Sequence, residues 1–268
     1  MTVSSHPRCT IALGYDCDIF DHHLLDLCSV ADDRGARLQF FAQGMSFEQP
    51  CDCLREIAAR GHDIDQHTWS HISLIDASLA EVEDEIARTN AAFEERLGFR
   101  PVGLRAPDMY RNGIQDRPDV QEMILRQGLG FVSSDYSTRL RSHAHDKAAD
   151  DNAARNMKHL QPRWYPGGGE DTPRLLEIPA PGYSDRDFLD NLHGSVDDWI
   201  AHIKACIEFA YNLGGLIYAP HLHVDTHLRH DPELRVIRAI FDYAVSFHEP
   251  VGFYTYRDIY AHCRSSCL

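Results

Sequence analysis

Short apolar runs alternate with longer stretches of helical period along nearly all of this 268-residue chain. TIALGYD (10–16) and RLQFFAQG (37–44) read as strands, and DHHLLDLCSVADDRG between them reads as a helix. CDCLREIAARGHDI follows, and then a segment HTWSH. Residues 78–98, SLAEVEDEIARTNAAFEERLG, read as a helix with Leu79, Val82, Ile86 and Phe93 on one stripe, Ser78 as cap and Gly98 as stop. VGLRAP, LGFVSSD, RLLEIPA, GGLIYAP and PVGFYTY continue the strands, with helices over DVQEMILRQG, VDDWIAHIKACIEFAYNLG and ELRVIRAIFDYAVSF. Such alternation predicts an α/β fold, a parallel sheet or barrel with helices outside, and gathers chemistry at the C-terminal ends of the strands.

One domain over residues 1–268 is expected, interrupted by a long polar insertion at about 137–173 that ends in a glycine run. Long loops of this kind often cover a binding site, with disorder as the plainer alternative. The charge balance, 26 basic against 41 acidic residues and a net of −15, repels polyphosphate and anionic lipid, so no nucleic-acid or membrane partner is expected. No signal-peptide pattern precedes the first strand and no apolar run is long enough to span a bilayer, which gives a cytoplasmic reading. The eight cysteines are then read as reduced thiols; a second metal site from Cys51, Cys53, Cys263 and Cys267 is the weaker alternative.

In YDCD, Asp16 and Asp18 are two apart, so on an extended strand both carboxylates point to one side. In HTWSH, His67 and His71 are four apart, a spacing that aims two imidazoles at one ion if the segment turns helically. Each pattern alone has a plain explanation: a capping turn for the aspartates, ordinary surface or core histidines for the pair. Together, two imidazoles and one carboxylate leave coordination positions open for water and substrate, the layout of a catalytic metal.

GYDCD, FFAQG, GHDIDQHTWSH, FRPVGLRAPDMY, LGFVSSDYS and LLEIP, in that order, resemble the NodB-homology polysaccharide deacetylases (carbohydrate esterase family 4) and their amidase and cyclic-imide-hydrolase relatives. The likeness runs from about residue 10 to 260. It implies a distorted (β/α) barrel with fewer than eight full units. By the same resemblance Asp16 is the general base, Asp18, His67 and His71 hold a divalent metal, and Arg105 keeps the base ionised and oriented. Zinc is the first choice of metal, with cobalt, nickel or manganese compatible with the same ligands.

The family also uses a histidine near the last strands as general acid. IYAPHLHVD departs from it, with Ala219 where some relatives have histidine, so His221 is preferred and His223 is the alternative. Asp135 is the expected carboxylate partner of that acid. Asp108 stands where the family offers a backbone N–H to the oxyanion, and any residue except proline supplies that donor. Tyr110, Trp164, Tyr165 and His223 are assigned to substrate binding.

The expected function is hydrolysis of an amide C–N bond, removing an acyl group from a small-molecule or saccharide N-acyl substrate. A cyclic-imide or linear amide hydrolase is the nearest alternative. A non-haem iron oxygenase would use the same ligand set, and a non-catalytic binding module would follow if the Ala219 departure marks a degraded site. The oligomeric state is left open, a homo-oligomer included.

Overall fold

The computed structural model describes residues 7–136, 157–167 and 173–266. The covering role expected of the 137–173 insertion rests mainly on residues outside these ranges. The strands are β1 (Cys9–Ile11), β2 (Gly14–Cys17), β3 (Gln39–Ala42), β4 (Asp63–Gln66), β5 (Gly103–Tyr110), β6 (Phe131–Asp135), β7 (Arg163–Trp164), β8 (Leu176–Glu177), β9 (Ile217–Tyr218), β10 (His221–His223) and β11 (Val251–Phe253). The helices are α1 (His23–Asp32), α2 (Asp52–Ala59), α3 (Leu79–Leu97), α4 (Pro118–Arg126), α5 (Val196–Leu213), α6 (Val224–His230), α7 (Arg235–Ala244) and α8 (Tyr256–Ser265).

The main sheet has eight strands in the order β10-β2-β3-β4-β5-β6-β8-β7, parallel throughout except for the β7–β8 pair. A second sheet, β11-β1-β9, is continuous with it because β1 runs into β2 and β9 into β10. The chain leaving β8 returns to β10 through a lone parallel bridge, Ser184 to His221. The result is the distorted (β/α) barrel, with a thinly joined seam beside β10.

Alternation along the strands separates two environments. Tyr15, Cys17 and Phe40 pack in the cluster that includes Leu24, Leu27 and Ile57 of α1 and α2, whereas Phe41 packs with Phe131, Leu176 and Tyr256 in another. Asp16 lies between Tyr15 and Cys17, so its side chain points away from those helices. Ala219 is 1% exposed and packs with Ala12 and Phe41; it is a core residue in this barrel.

The helix over 78–98 forms as its sequence dictates. Ser78 Oγ accepts from Glu81 N while Glu81 Oε2 accepts from Ser78 N, and Gly98 ends the helix in the left-handed region at φ 79°. Val82, Ile86 and Phe93 are fully buried, while Leu79 is only partly so. Each such side chain contributes roughly 1.5–3 kcal/mol by leaving water. The α3 helix also carries Glu85, whose carboxylate accepts from Ser70 N (2.6 Å) and Ser70 Oγ (2.7 Å), tying down the HTWSH loop.

Candidate active site

Asp16 is nearly fully buried at the end of β2. His221 Nε2 lies 2.7 Å from its Oδ2, His67 Nε2 3.6 Å from the same oxygen, and His223 Nε2 3.9 Å away. Arg105 Nη1 is 3.6 Å from Oδ1, which has no hydrogen-bond donor. Burial alone would raise this carboxyl, but Arg105, His67 and His221 override it and hold Asp16 well below the usual carboxylate range.

Arg105, on β5, organises the site from both ends. Its buried guanidinium donates to Tyr256 Oη (2.7 Å) and lies 4.6 Å from the Phe41 ring centre, so the charge sits over aromatic faces beneath Asp16. Its carbonyl lies 2.9 Å from His67 Nδ1. With the proton on Nδ1 donated to that carbonyl, Nε2 keeps its lone pair for the site. Gly14 is required here: a Cβ would stand 2.7 Å from Tyr256 Cε2 and 3.1 Å from Arg105 Nη2.

His67 and His71 do converge, with ring centres 4.9 Å apart, but not on a helix. The segment is an irregular loop in which Thr68 (φ 59°) and His71 (φ 66°) take left-handed backbone, an unfavourable conformation for these residues that the Glu85 contacts hold in place. Asp18 lies just past β2, its Oδ2 4.0 Å from Arg186 Nη2 and its Oδ1 buried without a hydrogen-bond partner. Among the described residues, the groups whose ligand atoms lie within 4.8 Å of one another are Asp16, His221, His223 and, near the surface, Asp21, His22, His23. Asp18, His67 and His71 do not all reach that mutual distance, so gathering them on one ion requires their side chains to move. The donor types still suit a divalent cation: an orphaned buried carboxylate oxygen and an imidazole nitrogen whose far side is already fixed.

His223 donates through Nδ1 to Asp185 Oδ1 (2.6 Å), and its backbone N donates to Asp185 Oδ2 (2.8 Å). Burial would lower the imidazole, but Asp185, by charge and hydrogen bond, wins with help from Asp16 and raises it. His221 shows the opposite balance: burial outweighs Asp16 and pushes it down to about 4. A cleft of about 120 Å³ opens onto these groups, lined by Asp16, His71, Asp108, Tyr136, Ser184, Arg186, Asp187, His221 and His223. Asp108 (φ 59°) and Met109 (φ 36°) sit where the β5–β6 register shifts, a bulge that re-aims the peptide at the cleft.

A family model for polysaccharide deacetylase matches residues 5–115, the part that carries Asp16, Asp18, His67, His71 and Arg105. A chitin deacetylase of Pestalotiopsis sp is 30% identical over 110 residues, 39% of this chain and 36% of that protein. The match thus spans about a third of the curated relative. A polysaccharide deacetylase structure from Mycobacterium smegmatis superposes with a TM-score of 0.72 at 18% identity, over 100% of this chain and 95% of that one. Residues 5–115 match the polysaccharide deacetylase family, and the chain as a whole has the fold of such deacetylases. PuuE allantoinase shares the fold as well, with a TM-score of 0.72 at 16% identity over 97% of this chain and 91% of that one.

Several sequence expectations are corrected by the geometry. Asp135 does not meet either histidine: its carboxylate holds Arg163 Nη2 (2.6 Å) and Asn112 N (3.0 Å), because β6 delivers it to that side of the barrel. A carboxylate that does meet one of them is Asp185, on His223. His221, preferred as proton donor, is bonded to Asp16, and the alternative, His223, is the imidazole bonded to a second carboxylate. Trp164 and Tyr165 lie away from the cleft: Trp164 packs on Tyr260, and Tyr165 Oη donates to Glu177 Oε2 (2.6 Å) in a buried network. Tyr110 Oη accepts from Leu74 N (2.8 Å), a loop-fixing contact. Cys51 and Cys53 are free thiols, and no cysteine joins a ligand cluster among the described residues. Asp185, Arg186, Asp187 and Tyr136 were missed. The sequence signal for the first three is the density of polar residues in YSDRD, which by itself reads as a surface loop.

Proposed function

We propose that this chain is a metal-dependent hydrolase that cleaves an amide C–N bond, removing an acyl group, acetyl in the simplest case, from an N-acylated amine. The observation that carries the reading is a buried Asp16 held ionised by the Arg105 guanidinium and a hydrogen bond from His221, beside two converged imidazoles and facing a cleft. Asp18, His67 and His71 would hold the cation. When bound, it supplies Lewis acidity to water and to the acyl carbonyl.

The chain's own residues perform the rest. Neutral His221 donates through Nε2 to Asp16 Oδ2, which fixes the carboxylate and leaves Oδ1 to take the proton of the attacking water. The Asp108 peptide N–H donates to the developing oxyanion. His223, kept protonated by Asp185, gives its proton to the departing amine, since an amide anion is a very poor leaving group. The products are a carboxylic acid and a free amine.

The family of residues 5–115 supports an N-acetyl substrate. The small cleft favours a compact N-acylated molecule, such as an amino sugar, over an extended chain. Acetate release from a panel of N-acetylated amino sugars, amino acids and amines, with cyclic imides as the alternative arm, tests the reading in protein loaded with zinc, cobalt, nickel or manganese. Oxygen-dependent turnover on ferrous iron would replace it by the oxygenase reading, and no turnover with any metal would leave a binding module.

A further inference from the structure

Among the described residues lining the cleft, Arg186 is the one lysine or arginine. Its position is fixed at both ends. The backbone N donates to Asp185 Oδ1 (2.7 Å), the oxygen that also receives His223 Nδ1–H, and Nη2 donates to Asp225 Oδ1 (2.8 Å). A guanidinium carries five N–H donors in one plane. Among the described residues only Nη2 of Arg186 has a hydrogen-bond acceptor, and the side chain is 35% exposed. A planar fork with donors to spare is thus aimed at the cleft.

Two further points bear on what it meets. Arg186 Nη2 is taken up by Asp225 and stands 4.0 Å from Asp18 Oδ2, which leaves Nη1 and Nε as the donors free to meet a ligand acceptor. The neighbouring acid Asp187 accepts from Tyr136 Oη and from Asn191 Nδ2 (3.0 Å) and takes none of these donors. Arg186 also follows Asp185 directly in the chain, so it lies on the side of the cleft where His223 meets the leaving amine.

We propose that Arg186 is a specificity-determining residue that receives a carboxylate on the amine half of the substrate, so that the enzyme acts on small N-acyl amino acids in preference to neutral N-acetyl sugars. This rests on the amide-hydrolase reading above and adds the substrate class. The guanidinium–carboxylate pair is the strong, two-pronged kind of hydrogen bond, and it selects for charge as well as shape.

The test compares N-acetylglycine, N-acetylglycinamide and N-acetylglucosamine with the metal-loaded wild-type protein, R186Q and R186K. The expected result is a kcat/KM for N-acetylglycine about tenfold or more above that for the neutral amide, carried mainly by KM, a ratio that falls toward one in R186Q and is partly kept in R186K. Equal use of acid and amide by the wild type, preference for N-acetylglucosamine, or an R186Q loss that leaves the ratio intact would overturn the proposal. Calorimetric binding of the same three compounds separates it from the hydrolase reading. If none is hydrolysed, tighter binding of N-acetylglycine than of its amide, lost in R186Q, supports the carboxylate site while the hydrolase reading fails. Binding without that difference overturns the site itself.

Discussion

His223 and Asp185 meet through two hydrogen bonds at once, Nδ1 to Oδ1 at 2.6 Å and backbone N to Oδ2 at 2.8 Å, although 38 residues separate them in the chain. The double contact fixes both the imidazole's tautomer and its direction, leaving Nε2 for the cleft.

The pH profile follows from that pair. A proton donor works only while protonated, so activity is lost as pH rises through the His223 pKa, which Asp185 holds above its ordinary value. Asp185→Asn removes the main raising charge and leaves only Asp16 to oppose burial. The descending limb of the kcat/KM profile should therefore move to lower pH, with partial recovery of rate in mildly acidic buffer. A profile with an unmoved descending limb would remove His223 from the donor role.

Arg105 controls the other limb. Without its guanidinium, burial would dominate at Asp16 and its pKa would rise, so Arg105→Gln should move the acid limb upward while Arg105→Lys keeps much of its position. Removing a buried charge partner also costs stability, about 3–5 kcal/mol. Denaturant melts alongside the pH profile separate the two effects.

Asp16→Asn should keep the metal and lose about 10²–10⁴-fold in turnover, as for removal of a general base. Asp18→Ala and His67→Ala should lose metal affinity as well. Metal content by elemental analysis distinguishes them, and chelation followed by re-addition of zinc or cobalt should abolish and then restore wild-type activity. Metal retained in Asp18→Ala but lost in His221→Ala would move the ion to the Asp16, His221, His223 cluster.

Gly14→Ala introduces a methyl 2.7 Å from the Tyr256 ring, in a place packed on every side by Arg105 and Phe41. Overpacking of this kind costs about 1–3 kcal/mol. The variant should melt earlier and lose rate as Arg105 shifts, whereas Gly35→Ala, with nothing near its Cβ, should show only the backbone strain of its positive φ.

The βα order, the α3 stripe with its Ser78 cap, and the motifs at the ends of β2, β4 and β5 were legible because each is local: period, caps and strand ends are written in consecutive residues. The approach of His67 to His71 was legible, but its cause was not. Their spacing suggested a helix, while the left-handed Thr68 and His71 are set by Glu85 on α3, a contact across 15 residues that no local pattern announces. Asp135 and Asp185 both follow strand-like or loop-like segments with serine before the aspartate, and only the three-dimensional path of β6 and β8 decides which one faces His223. Trp164 and Tyr165 looked like binding aromatics; the Glu177 network and the Tyr260 contact that occupy them are equally nonlocal.

Ser184 and His221 supply the single bridge between the returning chain and β10, and Asp185 and His223 adjoin it on opposite banks. A join of one bridge in the cylinder is therefore also where the proposed proton-delivery pair is assembled. Gentle warming that loosens this stitch would part the two halves of that pair while the β3–β4–β5 wall still stood, so silence of the enzyme would come as an early, reversible event and collapse of the cylinder as a later one.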